Sequence, residues 1–121
     1  MTKIGVDIIE NKRVAKLYDR YKDSFVNKIL TEDEKTIFNK KTDKVKYLAS
    51  RWAAKEAVGK ALGCGLSCGI KNIEILNRSN GQPYVKLYNK ASDKLLANGS
   101  SIVEISISHE KHYSIAFVIT L

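Results

Sequence analysis

No stretch of this 121-residue chain approaches the about eighteen consecutive apolar residues that a bilayer-spanning helix needs. The N-terminus also lacks the charged-then-apolar layout of a secretory signal. Both absences point to a cytosolic protein with no membrane partner. Cysteine is scarce: Cys64 and Cys68 are the only two, too few for a disulfide framework in a cytosolic chain, and they are expected as plain loop thiols. With His109 and His112 they would supply two Cys and two His for zinc, but the Cys-x3-Cys and His-x2-His spacings fit the usual finger pattern poorly. There is no Gly-x-Ser-x-Gly elbow, no Gly-x-x-x-x-Gly-Lys-Ser/Thr phosphate loop, and no Ser-His-Asp triad that spacing alone can assemble. Repeats, low-complexity segments and interdomain linkers are also absent, so residues 1–121 are expected to form one domain.

Acidic residues are outnumbered, 13 against 21 Lys and Arg, for a net charge of +8. The excess is uneven: residues 1–62 hold 15 of the 21 basic residues and 9 acids. Such a chain favours an acidic partner, whether a nucleic acid, a phosphorylated small molecule or an acidic protein. A nucleic-acid module accounts for the charge, but the tyrosines and phenylalanines show no stacking strand among basic residues.

Two carboxylates stand where apolar residues are expected. The run from Lys3 to Ile9 is a short β-branched strand with Asp7 in its middle. Alternation places Ile4, Val6 and Ile8 on one face and Gly5, Asp7 and Ile9 on the other, with Gly5 leaving room for something to approach. In the helix running from near Lys44 to Leu62, Glu56 shares a face with Ala49, Trp52, Ala53, Gly59 and Lys60. A lone buried carboxylate is costly, so Glu56 is expected to be paired or liganded. The alternative is an intrahelical Glu56–Lys60 pair on a solvated face. Two misplaced carboxylates suggest one shared cation. Magnesium suits so sparse a donor set, because substrate phosphates and waters complete its shell.

The remaining pattern is α+β, an antiparallel sheet against a long helix and shorter ones. Val14, Leu17, Tyr18, Tyr21 and Phe25 predict an amphipathic helix from about Asn11 to Ile29 with Lys12, Arg13, Lys16, Arg20 and Lys22 on its outer face. Thr31-Glu32-Asp33-Glu34 is a capping box opening a helix to about Asn39, and Gly63 is placed to end the long helix. Residues 72–76 and 84–88 form a hairpin around Asn80-Gly81-Gln82-Pro83, residues 89–98 a short helix, and 102–108 and 113–121 a second hairpin. On its first strand Val103, Ile105 and Ile107 make the apolar face, while Glu104, Ser106 and Ser108 line the other and lead to His109.

Three segments in order, Gly5-Val6-Asp7-Ile8-Ile9-Glu10, Arg51-Trp52-Ala53-Ala54-Lys55-Glu56-Ala57 with Lys60-Ala61-Leu62-Gly63, and Ser106-Ile107-Ser108-His109-Glu110, resemble the signatures of the holo-(acyl-carrier-protein) synthases, the small bacterial 4′-phosphopantetheinyl transferases. The resemblance spans the chain. It implies transfer of the phosphopantetheine arm of coenzyme A to a serine of apo-acyl-carrier protein, releasing adenosine 3′,5′-bisphosphate, for fatty acid biosynthesis. It also implies a homotrimer with sites between subunits and magnesium on Asp7 and Glu56. Lys60 would neutralise or protonate the leaving phosphate; a metal-bound water or a carboxylate such as Glu56 would accept the serine proton. Arg51, His109 and Ser108 would meet the phosphates of coenzyme A, and Gly63 and Gly65 would let backbone pass close to the nucleotide. Asn80, Gly81 and Pro83 match a turn that approaches it from a neighbouring protomer. Arg13, Lys16, Leu17 and Arg20 would dock the acidic carrier. Cys64, Gln82 and Ser114 depart from the family's usual threonine, lysine and alanine, and Cys64 is a point of sensitivity to thiol oxidation.

Overall fold

The computed structural model describes residues 2–121. In chain order its elements are β1 (Lys3–Glu10), α1 (Asn11–Tyr21), α2 (Asp23–Ile29), α3 (Glu32–Lys40) and α4 (Lys44–Leu62). Two short 3-10 turns, Gly65–Cys68 and Ile70–Asn72, lead to β2 (Ile73–Asn77), β3 (Pro83–Leu87), α5 (Asn89–Ala97), β4 (Val103–His109) and β5 (Tyr113–Thr120). The antiparallel sheet β1-β5-β4 carries Asp7, and β2-β3 forms a separate hairpin.

Helix α4 is the centre of the molecule. Its residues are buried almost all round, from Tyr47 and Leu48 through Ala53, Ala54, Ala57 and Val58 to Leu62, as expected of a helix with little amphipathic contrast. Asp43 caps its start by accepting from Lys46 N at 3.0 Å. Gly63 ends it in the left-handed region at φ 81°.

The three-stranded sheet sits close on α4 because the facing residues are small. Gly5, Ala116 and Ser114 lie on its inner face, and a Cβ on Gly5 would stand 2.0 Å from the Ala57 carbonyl oxygen. The space over Gly5 is therefore taken by α4 itself and not left for a substrate. Gly59 is similarly constrained: a Cβ there would meet the Gly65 carbonyl at 2.5 Å.

The helix expected over 11–29 is two helices. Lys22, at φ 46° and ψ −124°, breaks it, and its N–H donates to the Tyr18 carbonyl at 2.8 Å. The break redirects the chain so that Phe25, Val26 and Ile29 enter the core. Asp23 in the first turn of α2 is a helix-start signal that apolar periodicity alone overrides. The capping box at Thr31 and Glu34 is present as expected.

Burial of Lys55 and Glu34 is the main surprise in the core. Both side chains are fully buried, with Lys55 Nζ 2.6 Å from Glu34 Oε1 and donating to the Ile29 carbonyl at 2.7 Å. Glu34 also accepts from Thr31 N at 2.9 Å and Ile75 N at 2.8 Å. Burial pushes the Lys55 ammonium below its ordinary pKa, and Glu34 opposes that shift.

Candidate functional site

The end of α4 meets β1 at a small polar cluster. Lys60 Nζ donates to Asp7 Oδ1 at 3.1 Å and to the Val6 carbonyl at 3.0 Å. The Asp7 side chain retains 12% of its exposure, whereas Lys60 retains 54%. Lys60 thus pairs with the strand and not with Glu56 one turn earlier, so the intrahelical pair does not form. Glu56 is half-buried and makes no hydrogen bond or ion pair among the described residues. A partly desolvated carboxylate one helical turn from the lysine that binds Asp7 offers oxygen donors of the kind a hard divalent cation takes together with substrate oxygens. The small residues placed on the same stripe, Ala49, Ala53 and Gly59, are buried and serve packing.

A second polar centre lies at the other end of α4. Lys41, Thr42, Asp43, Lys46, Tyr47, Ser50, Arg51, Asn77 and His109 line a cavity of about 350 Å³. Arg51 is buried, donates through Nη2 to Asn77 Oδ1, and stacks over the Tyr47 ring at 4.5 Å. Its Nε is buried without a partner. Burial pushes the Tyr47 phenol up to about 12, so it remains a neutral floor under the guanidinium. His109 ends β4 with its ring at the cavity edge. Partial desolvation there, and then the charge of Lys46, hold the imidazole below its ordinary 6.5. Four basic side chains, Lys41, Lys46, Arg51 and His109, against the one acid Asp43 on a single polar recess favour a polyanionic ligand.

The sequence signature joins Arg51 and His109, and so does the structure, but Ser108 is not beside them. Alternation turns Ser108 to the outer face of the sheet, opposite Ile115, away from the cavity lining. Lys41, Lys46, Tyr47 and Asn77 were not expected in the site. The basic run before α4 reads as a polar break in sequence, and only the helical spacing Asp43, Lys46, Tyr47, Ser50 marks one face. The β2–β3 turn reaches this centre through Asn77, whose Nδ2 donates to the Gly81 carbonyl at 2.9 Å. In that turn Asn80 Oδ1 accepts from Gln82 N at 3.0 Å, Gly81 sits at φ 90°, and Pro83 opens β3. Gly63 and Gly65 both adopt positive φ, and a Cβ on either would meet nothing within 4 Å. Backbone conformation, not crowding, calls for glycine there.

On α1, Arg13, Lys16 and Arg20 are exposed. Arg13 lies 5.9 Å from the centre of the Trp52 ring and Arg20 5.3 Å from that of Tyr21. Leu17 lines a largely apolar recess of about 650 Å³ with Tyr21, Phe25, Trp52, Leu66 and Ile70. The two cysteines are not free thiols: Cys64 and Cys68 form a disulfide, their Cα atoms 5.6 Å apart. The Gly63–Gly69 loop folds back on α4 and brings them together. Among the described residues, no group of three or more His, Cys, Asp or Glu could hold a metal, so the zinc alternative has no site.

The sequence profile of the 4′-phosphopantetheinyl transferase superfamily matches residues 3–118. The chain belongs to that superfamily. Its kinship is with the holo-[acyl-carrier-protein] synthases. The enzyme of that name from Thermodesulfovibrio yellowstonii is 40% identical over 118 residues, covering 96% of this chain and 95% of the relative. The crystal structure of holo-[acyl-carrier-protein] synthase from Neisseria meningitidis superposes with a TM-score of 0.91 at 36% identity, covering 98% of this chain and 97% of that one. The Helicobacter pylori synthase, solved in complex with coenzyme A, gives a TM-score of 0.83 at 28% identity over 98% and 99% of the two chains. The α+β architecture expected from the sequence is therefore that of the synthases.

Proposed function

We propose that this protein transfers the 4′-phosphopantetheine group of coenzyme A to a serine of apo-acyl-carrier protein, in the cytoplasm, and releases adenosine 3′,5′-bisphosphate. The observation that carries the reading is the half-buried Glu56, unpartnered among the described residues and one helical turn before the Lys60 that pairs with Asp7, in a chain matched over 96% of its length by a holo-[acyl-carrier-protein] synthase. Asp7 and Glu56 would hold magnesium. When bound, the ion polarises the pyrophosphate and offsets charge in the transition state. The serine oxygen would attack the β-phosphorus, giving its proton to a water or to a carboxylate such as Glu56, as the bond to the 3′,5′-bisphosphate breaks. Lys60, oriented by Asp7 and the Val6 carbonyl, supplies a cation to the departing phosphate. Arg51 and His109, with Lys41 and Lys46 beside them, fit the remaining phosphates.

The cavity and the Asp7–Lys60 cluster share no side chain, which favours a site assembled from two copies. A surface for such assembly exists: Ile4, Val6, Ile8, Tyr113, Ile115 and Phe117 are exposed on the outer sheet face. So continuous an apolar face is expected to be covered, here by two further copies in a homotrimer. The β2–β3 turn with Asn80, Gly81 and Pro83, and the backbone at Gly63 and Gly65, would then border the nucleotide.

Coenzyme A with magnesium is expected to raise the melting temperature by several degrees at saturation, since ligand at a hundred times its Kd adds about 2.7 kcal/mol. Equal melting with and without coenzyme A would overturn the reading. His109 adds a pH dependence. Its imidazole is neutral at neutral pH and gains charge only below 6.5, so affinity for coenzyme A should rise roughly two- to tenfold as pH falls from neutrality through the His109 pKa. His109→Ala should retain only the titration of the phosphate itself; an identical profile in both proteins would remove His109 from the site. In the unliganded protein the sign is opposite. The unfolded chain binds that proton more readily, so this contribution to stability is lost as pH falls below 6.5.

For the carrier, Arg13, Lys16 and Arg20 flank the recess containing Leu17. Arg13→Glu should raise the carrier KM roughly tenfold at low salt and flatten its salt dependence, with kcat nearly unchanged. An unchanged KM would refute docking on α1.

A further inference from the structure

The disulfide sits in the loop that joins the polar cluster to the apolar recess. Cys64 N donates to the Gly59 carbonyl at 3.1 Å, one residue before Lys60. Cys68 is buried, and its carbonyl accepts from Asn72 Nδ2 at 2.8 Å. Between them lie Gly65, whose carbonyl approaches Gly59, and Leu66, which lines the recess with Leu17, Phe25 and Trp52. Gly63, Gly65 and Gly69 all hold positive φ, at 81°, 55° and 89°. A segment so rich in glycine loses much backbone entropy when ordered. The cross-link therefore adds a covalent restraint to a loop whose glycines make it costly to order, and with it to the position of Leu66.

We infer that Cys64 and Cys68 form a reversible redox site, through which low-molecular-weight thiols and disulfides switch the Gly63–Asn72 loop between a fixed and a loosened state and so tune the Leu17–Leu66–Trp52 recess. The half-exposed Cys64 is the point of entry. A thiolate attacks the Cys64 sulfur, the Sγ–Sγ bond breaks, and Cys68 leaves as the thiolate and takes up a proton. A second external thiol then attacks the mixed disulfide and releases Cys64 as a thiol. Two electrons and two protons pass to the protein, and the two external thiols become one disulfide. A disulfide of the same class reverses the sequence. The effect on the carrier rests on the docking role of the recess; the effect on the loop does not.

The full-length protein is equilibrated in glutathione buffers of stepped redox ratio, alkylated and weighed intact, and amide exchange is followed in the oxidised and reduced forms. The expected result is paired alkylation of both cysteines without a singly modified population, with exchange over residues 63–72 roughly tenfold faster after reduction. Carrier KM should rise roughly two- to tenfold on reduction with kcat within about twofold. Cys64→Ser and Cys68→Ser should match the reduced protein in either buffer. Independent alkylation of the two thiols, or the same loop exchange in both forms, would overturn the switch. Faster exchange with an unchanged carrier KM would overturn its link to the recess. Absence of transfer in both forms would instead count against the enzymatic reading, and the exchange comparison would still decide the switch.

Discussion

Asp7→Ala and Glu56→Ala are each expected to lower phosphopantetheine transfer by roughly a thousandfold or more, while circular dichroism and oligomeric state remain as in the parent protein. Loss of a ligand to a divalent cation removes several kcal/mol of transition-state stabilisation, and each 1.36 kcal/mol is about tenfold in rate. The fold should survive because neither carboxylate supports it. Among the described residues the Asp7 side chain bonds only Lys60, itself half-exposed, and Glu56 bonds no side chain. Asp7→Asn is the sharper variant. It keeps the shape and an oxygen for Lys60 but removes the charge, so it should be nearly as inactive as Asp7→Ala. Turnover within about tenfold of the parent in either alanine variant would contradict the magnesium assignment.

The largest effect on stability is expected one residue away. Lys55→Ala or Glu34→Ala should cost about 3–5 kcal/mol, because each leaves its partner as a buried charge without its counter-ion. The pair also ties four segments together: the Ile29 carbonyl ending α2, the Thr31 cap of α3, Ile75 in β2, and α4. Since a domain of this kind is stable by about 5–15 kcal/mol in total, urea unfolding at fixed protein concentration should show a midpoint reduced by a third or more. Lys55→Met, which fills the volume without charge, should be destabilised as well, since the Glu34 carboxylate remains buried. A loss below about 1 kcal/mol in all three would mean that the pair is not sealed from water as the structure has it. The contrast between adjacent residues is informative: Lys55 is sealed in the core by its pair with Glu34, whereas Glu56 is half-buried and makes no ion pair among the described residues.

Much of this was legible from local chemistry. The α4 boundaries follow from a polar break and a glycine terminator, and both hairpins follow from their turns. Asp7 and Glu56 stand out because carboxylates are costly on apolar faces. What was not legible depends on contacts distant in sequence. Gly5 gives no sign by itself that Ala57 fills the space above it. Lys55 looks like one more basic residue until Glu34, twenty-one positions earlier, is brought beside it. The cavity around Arg51 needs His109 from β4 and Asn77 from β2, which no single periodicity joins. The division of 11–29 at Lys22 escaped because apolar spacing continues across the break, and the disulfide because its spacing was weighed only against scaffolds and zinc sites.

Intact-mass analysis of an apo-acyl-carrier protein, incubated with this protein and coenzyme A, tests the central claim most directly. The account predicts a gain of one phosphopantetheine per carrier in the presence of magnesium, abolished by excess chelator and restored by added magnesium. No gain with several acidic carriers would contradict the transferase reading, and a gain indifferent to chelator would contradict the role given to Asp7 and Glu56.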